Sequence, residues 1–182
     1  MNNRIKYLAD KLYERHTLDR SELYELLSER TEEAAEYLSR LAREVRESIY
    51  GRDVYLRGLI EFTNYCKNDC YYCGIRRSNR SCERYRLSEE QILECCKTGH
   101  ELGFRTFVLQ GGEDPYYTDE RMCAIVREIK TRYPDCAVTL SVGERSRESY
   151  AKLREAGADR YLLRHETADP EHYAKIHPSE LS

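Results

Sequence analysis

The sequence predicts an α/β protein, with about four parallel βα units over residues 51–182 and a helical segment over residues 1–50 in front of them. Two observations carry this reading. After Gly51, short apolar runs alternate with amphipathic stretches, the rhythm of strands buried on both faces and joined by right-handed crossover helices. Before Gly51 there is no such alternation, and apolar residues recur at helical spacing between charges. No tandem repeat or low-complexity linker interrupts the chain, so it reads as one domain with a helical extension.

The extension shows its clearest helix over about Glu32 to Tyr50, where Ala34, Leu38, Leu41, Val45 and Ile49 make one stripe and Gly51 stops it. Nothing in it resembles a site, and its expected role is to cover one end or side of the βα units. "VYLRGLIEF" (Val54 to Phe62) reads as the first strand. Ser88 and Gln91 form a capping box for a helix running to about Leu102, with Gly103 after it. "TFVLQ" (Thr106 to Gln110) is the second strand and ends at Gly111-Gly112. The next helix, about Asp119 to Arg132, shows Met122, Ile125, Val126 and Ile129 on one face and stops before Pro134. "AVTLSV" (Ala137 to Val142) is the third strand, a helix from about Arg147 to Ala156 ends at Gly157, and "YLLRHE" (Tyr161 to Glu166) is the fourth.

Composition narrows the function classes. The formal net charge is -3, with 30 basic and 33 acidic residues intermixed, so there is no electrostatic footprint for nucleic acid and no basic membrane anchor. The N-terminus lacks a signal-peptide core, and no apolar run approaches the roughly 18 residues of a membrane span. The expected location is therefore the cytoplasm. There, eight cysteines read as reduced thiols or metal ligands rather than a disulfide framework. Cys82, Cys95, Cys96, Cys123 and Cys136 lack ligand spacing and are expected to be small buried hydrophobes.

The other three stand apart. "FTNYCKNDCYYCGIRRSN" places Cys66, Cys70 and Cys73 at Cys-x3-Cys-x2-Cys spacing, directly after the first strand. Thiolates at such spacing suit zinc or an iron–sulfur cluster. A structural zinc site takes four protein ligands, and Cys82 or a distant histidine would have to supply the fourth. A cubane cluster held by three cysteines would instead leave one iron open to a substrate or cofactor. Parallel α/β folds place their chemistry at the carboxyl ends of strands, where this triplet lies.

With Tyr72 just before the last cysteine, this loop resembles the signature of radical S-adenosylmethionine (SAM) enzymes. The resemblance implies a 4Fe-4S cluster on Cys66, Cys70 and Cys73, SAM chelating the open iron, and reductive cleavage of SAM to methionine and a 5′-deoxyadenosyl radical. It also implies a TIM-like barrel, of which this chain would hold a part. "QGGED" (Gln110 to Asp114) resembles the family's Gly-Gly-Glu motif for the amino group of SAM. Chemistry agrees, because glycines permit close backbone approach and Glu113 can accept from an ammonium.

The wording "VLQGGEDPYY", "VTLSVGE" and "AGADRYLLRHETADP" is closer still to the HydE-type maturases of FeFe-hydrogenase, with methylornithine synthase and biotin synthase as relatives. That resemblance implies a small-molecule or iron-complex substrate, an electron donor such as a ferredoxin or flavodoxin, and other hydrogenase maturation proteins as partners. By position, Tyr72, Gly111, Gly112, Glu113, Ser141, Arg164 and Glu166 resemble cofactor-site residues, and Thr139 would face the substrate. Arg164 and Glu166 could instead form a strand-end ion pair. His165, on the opposite face, reads as structural. The basic run Arg76, Arg77, Arg80, Arg84 and Arg86 reads either as charge balance for a cluster or anionic substrate, or as a solvated loop. Serine is often found in the family where this chain has Gly111. A family member continues for four more βα units, so the chain is expected to be an N-terminal fragment or truncated reading frame.

Overall fold

The computed structural model describes residues 1–181. The chain forms two compact units, Met1–Tyr55 and the remainder from Leu56 onward. In the first, α1 (Asn3–Arg15), α2 (Arg20–Ser28) and α3 (Glu32–Tyr50) each start on a side-chain cap. Asn2 accepts from the Arg4 amide, Asp19 and Glu22 close a capping box, and Thr31 accepts from the Ala34 amide. Ile5, Leu8, Leu26 and Ala34 form its core. The α3 stripe is buried at Ala34 and Leu41 but surfaces by Ile49, which is 65% exposed.

The second unit contains β1 (Gly58–Thr63), α4 (Glu89–Glu101), β2 (Thr106–Gly111), α5 (Asp119–Arg132), β3 (Ala137–Ser141), α6 (Arg147–Glu155), β4 (Arg160–Tyr161) and α7 (Pro170–Ile176). A short 3-10 turn, Ser179–Leu181, comes after α7. The strands make one parallel sheet in the order β1-β2-β3-β4. Register sorts side chains onto two faces. Ile60, Leu109 and Leu140 lie in one row across the sheet. They join Ile92 and Cys96 of α4, Val126 and Ile129 of α5, and Leu153 of α6 in a single core. The neighbouring row, Leu59, Val108, Thr139 and Arg160, faces the other way.

Two strand expectations need correction. Val54, Tyr55 and Leu56 are exposed and precede β1, because the ladder that joins β1 to β2 begins at Gly58 opposite Phe107. The fourth strand does not run to Glu166. After Tyr161, the Leu162 amide still donates to the Leu140 carbonyl (2.8 Å), and then the ladder ends. Its neighbour has already turned away at Gly143, where φ is 78°. Glu166, at φ 59°, leaves extended geometry altogether. Helix α7 is an element that the sequence pattern does not announce, although Asp169-Pro170 is a sound start signal: the Asp169 carboxylate caps the Glu171 and His172 amides. Of the five scattered cysteines, Cys96, Cys123 and Cys136 are buried as expected, while Cys95 is exposed and Cys82 half-buried.

Leu109 is fully buried in this core, whereas Leu59, which pairs with Val108 in the row on the other face, is 55% exposed. Leu109→Ala is expected to cost about 2–5 kcal/mol of stability, and Leu59→Ala about 0.5 kcal/mol or less, as read from urea denaturation midpoints.

Candidate functional site

The site lies at the carboxyl ends of β1 to β3. Between β1 and α4 the chain makes an irregular excursion whose backbone groups are satisfied locally. Cys73 N donates to Cys70 O (3.0 Å), Arg77 N to Asn68 O (2.9 Å) and Asn79 N to Arg76 O (3.1 Å). The guanidinium of Arg84 fills the middle. Its Nη1 donates to the carbonyls of Ile75 (2.9 Å) and Asn64, and its Nη2 to those of Arg76 (2.6 Å) and Asn79 (3.2 Å). Arg76 itself donates to Cys73 O (3.0 Å). These arginines brace the cysteine loop with a fixed fork of donors. For Arg76 and Arg84 this replaces both sequence readings, charge balance and solvated loop, whereas Arg77 and Arg80 are exposed, as a solvated loop predicts.

Arg86 has a different task. It forks onto Asp114, with Nε 2.7 Å from Oδ2 and Nη2 2.9 Å from Oδ1, and its guanidinium stacks on Tyr65 at 3.9 Å from the ring centre. Thr63 donates to Asp114 Oδ2 (2.8 Å) and the Tyr116 amide to Oδ1 (3.1 Å). Burial pushes the Asp114 carboxyl up, but Arg86, Thr63 and the Tyr116 amide outweigh it and hold the group below its ordinary value.

A cavity of about 640 Å³ opens above the strand ends. Cys66, Cys70, Cys73 and Tyr72 line it from the loop, Gly111, Gly112 and Glu113 from the end of β2, and Ser141 from β3. Arg164 and Glu166 line it from the segment after β4. The structure therefore brings together every predicted site residue except Thr139. That residue shares the Ser141 face but lies one layer deeper, buried, with its hydroxyl lacking a partner. Arg164 and Glu166 form no ion pair; both are exposed, and Arg164 Nη2 reaches Gln110 Oε1 at 3.4 Å. His165 lines the cavity too, because strict alternation fails once the ladder has ended. Glu113 sits between Lys67 Nζ (3.0 Å) and the Glu144 amide (3.3 Å). The two glycines are sterically required: a Cβ on Gly112 would run into Tyr65 O and lie 2.7 Å from Cys66 Cβ, and one on Gly111 would lie 2.6 Å from Thr63 Cγ2. Thr63 thus crowds the Gly111 position, where the family often has serine.

The model of the Radical SAM superfamily matches residues 60–180, from within β1 through the cysteine loop and the three later strands. The chain belongs to the radical SAM superfamily. It is 47% identical over 171 residues to the [FeFe] hydrogenase maturase subunit HydE of Thermotoga maritima, covering 94% of this chain and 48% of that protein. It is 38% identical over 170 residues to 3-methylornithine synthase of Methanosarcina acetivorans, covering 92% and 48%. Among solved structures it resembles HydG, a maturase of the [FeFe]-hydrogenase, with a TM-score of 0.84 at 25% identity, covering 96% of this chain and 40% of that one. The chain thus spans about half the length of the relatives it matches.

Radical SAM proteins use a 4Fe-4S cluster and SAM, and Cys66, Cys70 and Cys73 line one cavity as free thiols. Cys82, the suggested fourth ligand, is outside the cavity lining and instead receives the Asn64 side-chain amide at 3.5 Å. Three thiols without a fourth cysteine on the cavity lining match a cluster with one iron left open.

Sequence reasoning missed one contributor to this radical SAM loop. His177, buried at the end of α7, stacks on Tyr173 and meets Tyr72 edge-on at 5.4 Å. Its Nδ1 lies 3.1 Å from the Tyr173 carbonyl, which can only accept, so Nδ1 carries the proton there. In the neutral ring Nε2 then accepts from the Tyr72 hydroxyl at 3.3 Å. Burial, followed by the charges of Cys70 and Glu166, pushes the Tyr72 phenol up, so it keeps the proton it donates. The Tyr71 amide donates to Ile176 O (3.0 Å), tying loop and helix together. Only the helix start at Asp169-Pro170 hinted at this brace.

Two outcomes are expected. Because the Asp114 carboxyl is held low in the folded state, its stabilisation is present above the ordinary carboxylate range and lost as pH falls through its depressed folded value. Urea midpoints should therefore drop on acidification below about pH 4, and this dependence should be reduced in Asp114→Asn. Gly112→Ala should displace the Tyr65–Cys66 backbone and reduce iron bound after anaerobic reconstitution by about tenfold, while far-UV circular dichroism stays native.

Proposed function

We propose that this chain carries the cluster and SAM site of a radical SAM enzyme acting in maturation of the FeFe-hydrogenase active site. One observation supports the chemistry above the others: three free thiols, with no fourth cysteine beside them, share a cavity with a Gly-Gly-Glu turn. Its similarity to the HydE of Thermotoga maritima supports the biological assignment.

In this reading the thiolates of Cys66, Cys70 and Cys73 hold three irons of a 4Fe-4S cluster. When bound, the cluster supplies the electron that cleaves SAM reductively. Glu113 accepts from the SAM ammonium, which needs only that exposed Lys67 swing aside. The Gly111-Gly112 backbone lets the cofactor approach closely, and Ser141, Arg164 and Glu166 offer polar contacts along the cavity wall. Tyr72, fixed by His177, covers the loop side. Thr139 lies one layer below Ser141, so its buried, unpartnered hydroxyl serves the substrate only through a bridging water. A small-molecule or iron-complex substrate, a ferredoxin- or flavodoxin-like electron donor and other maturation proteins complete the proposal.

A second reading, a 3-methylornithine synthase, draws on the 38% identity to the Methanosarcina enzyme. Anaerobic reconstitution should give about four iron and four sulfide per chain, and a reduced EPR signal that shifts on adding SAM. A cluster that still forms in the Cys66→Ala/Cys70→Ala/Cys73→Ala variant would defeat the site assignment. Support of FeFe-hydrogenase activation in a maturation assay, against formation of 3-methylornithine, separates the two functions.

A further inference from the structure

At the opposite end of the sheet from the cysteine loop, three side chains of different chemistry converge. His100 lies in the last turn of α4, and Asp135 and Cys136 in the turn entering β3. Their ligand atoms lie within 4.8 Å of one another, the only such group among the described residues. His100 Nε2 is 3.3 Å from both Asp135 oxygens, and Cys136 Sγ is 3.9 Å from Oδ1.

These separations can be set against a metal. Around tetrahedral zinc, bonds of about 2.0–2.1 Å to nitrogen and oxygen and about 2.3 Å to sulfur place N and O ~3.3 Å apart and S and O ~3.6 Å apart. The nitrogen–oxygen spacing already has that value, and the sulfur needs to close by only about 0.3 Å. The His100 ring is steadied against Tyr133, 4.9 Å between ring centres. Cys136 is buried on the inner side, while the His100 and Asp135 side chains are 31% and 52% exposed, so an ion can enter from solvent.

We propose that His100, Asp135 and Cys136 form a second, mononuclear metal site that takes zinc(II), with water in the fourth position. The mixed nitrogen, oxygen and sulfur donor set is one zinc accepts readily. Binding forms the Zn–S bond as the Cys136 thiol releases its proton to solvent. The thiol thereby gives up its weak contact to the Phe104 carbonyl, at 3.8 Å. Arg105 opposes the ion, because its Nε holds Asp135 Oδ2 at 2.8 Å and competes for the carboxylate. The bound ion would clip the end of α4 to the start of β3.

The test titrates zinc(II) alone into the 182-residue chain carrying Cys66→Ala/Cys70→Ala/Cys73→Ala, which removes the cluster thiols. One zinc per chain is expected. Adding His100→Ala or Cys136→Ser should weaken binding about tenfold or more, and Arg105→Gln should tighten it. His100 is part-exposed, so its replacement should leave the fold intact, and circular dichroism checks this. No zinc bound by the triple variant, or binding indifferent to His100→Ala, overturns the site. An unchanged affinity in Arg105→Gln removes Asp135 from the ligand set and overturns the site as stated.

Discussion

The carboxylate of Asp114 is the point on which the geometry above the strands depends. It is buried, and it is tolerated there because every nearby donor is aimed at it. Thr63 reaches it from the end of β1, Arg86 from the segment entering α4, and the Tyr116 amide from the turn after β2. Three stretches remote in sequence are thereby fixed to one another at the cavity rim. Removing Arg86 would leave an unpaired charge in the interior, a larger penalty than the loss of an ordinary surface pair. The cation also stacks on Tyr65, next to Cys66, so the same residue positions the first thiol of the loop.

Much of the fold was legible because its signals are local. The Ser88–Gln91 box, the apolar face of α5 and the glycines after α4 and α6 each act over a few residues. What went wrong was strand length. Val54–Leu56 and Leu162–Glu166 look like strand by composition, but a strand exists only where a neighbour offers a ladder. β1 starts where β2 provides a partner, and β4 stops where β3 has turned away. Such limits belong to the pairing of segments, and no window of sequence contains them.

The site divides in the same way. The cysteine spacing and the Gly-Gly-Glu turn could be read directly, and the structure brings both to one cavity. Arg76 and Arg84 could not, because their acceptors are main-chain carbonyls, which leave no mark in a sequence. Arg84 was counted as charge, whereas it acts as a donor fork. His177 was missed for a related reason: its partners, Tyr72 and the Tyr173 carbonyl, meet it only once α7 has folded back against the loop.

The Arg84 fork has a thermodynamic consequence. In small metal-dependent domains the ligand loop is unfolded until the ion arrives, and the free energy of binding is largely spent on ordering the chain. Here four carbonyls of the excursion have their donor in Arg84, so part of that ordering is supplied by the chain itself. That share of the ordering entropy is met during folding and is not drawn from the binding of an inorganic group.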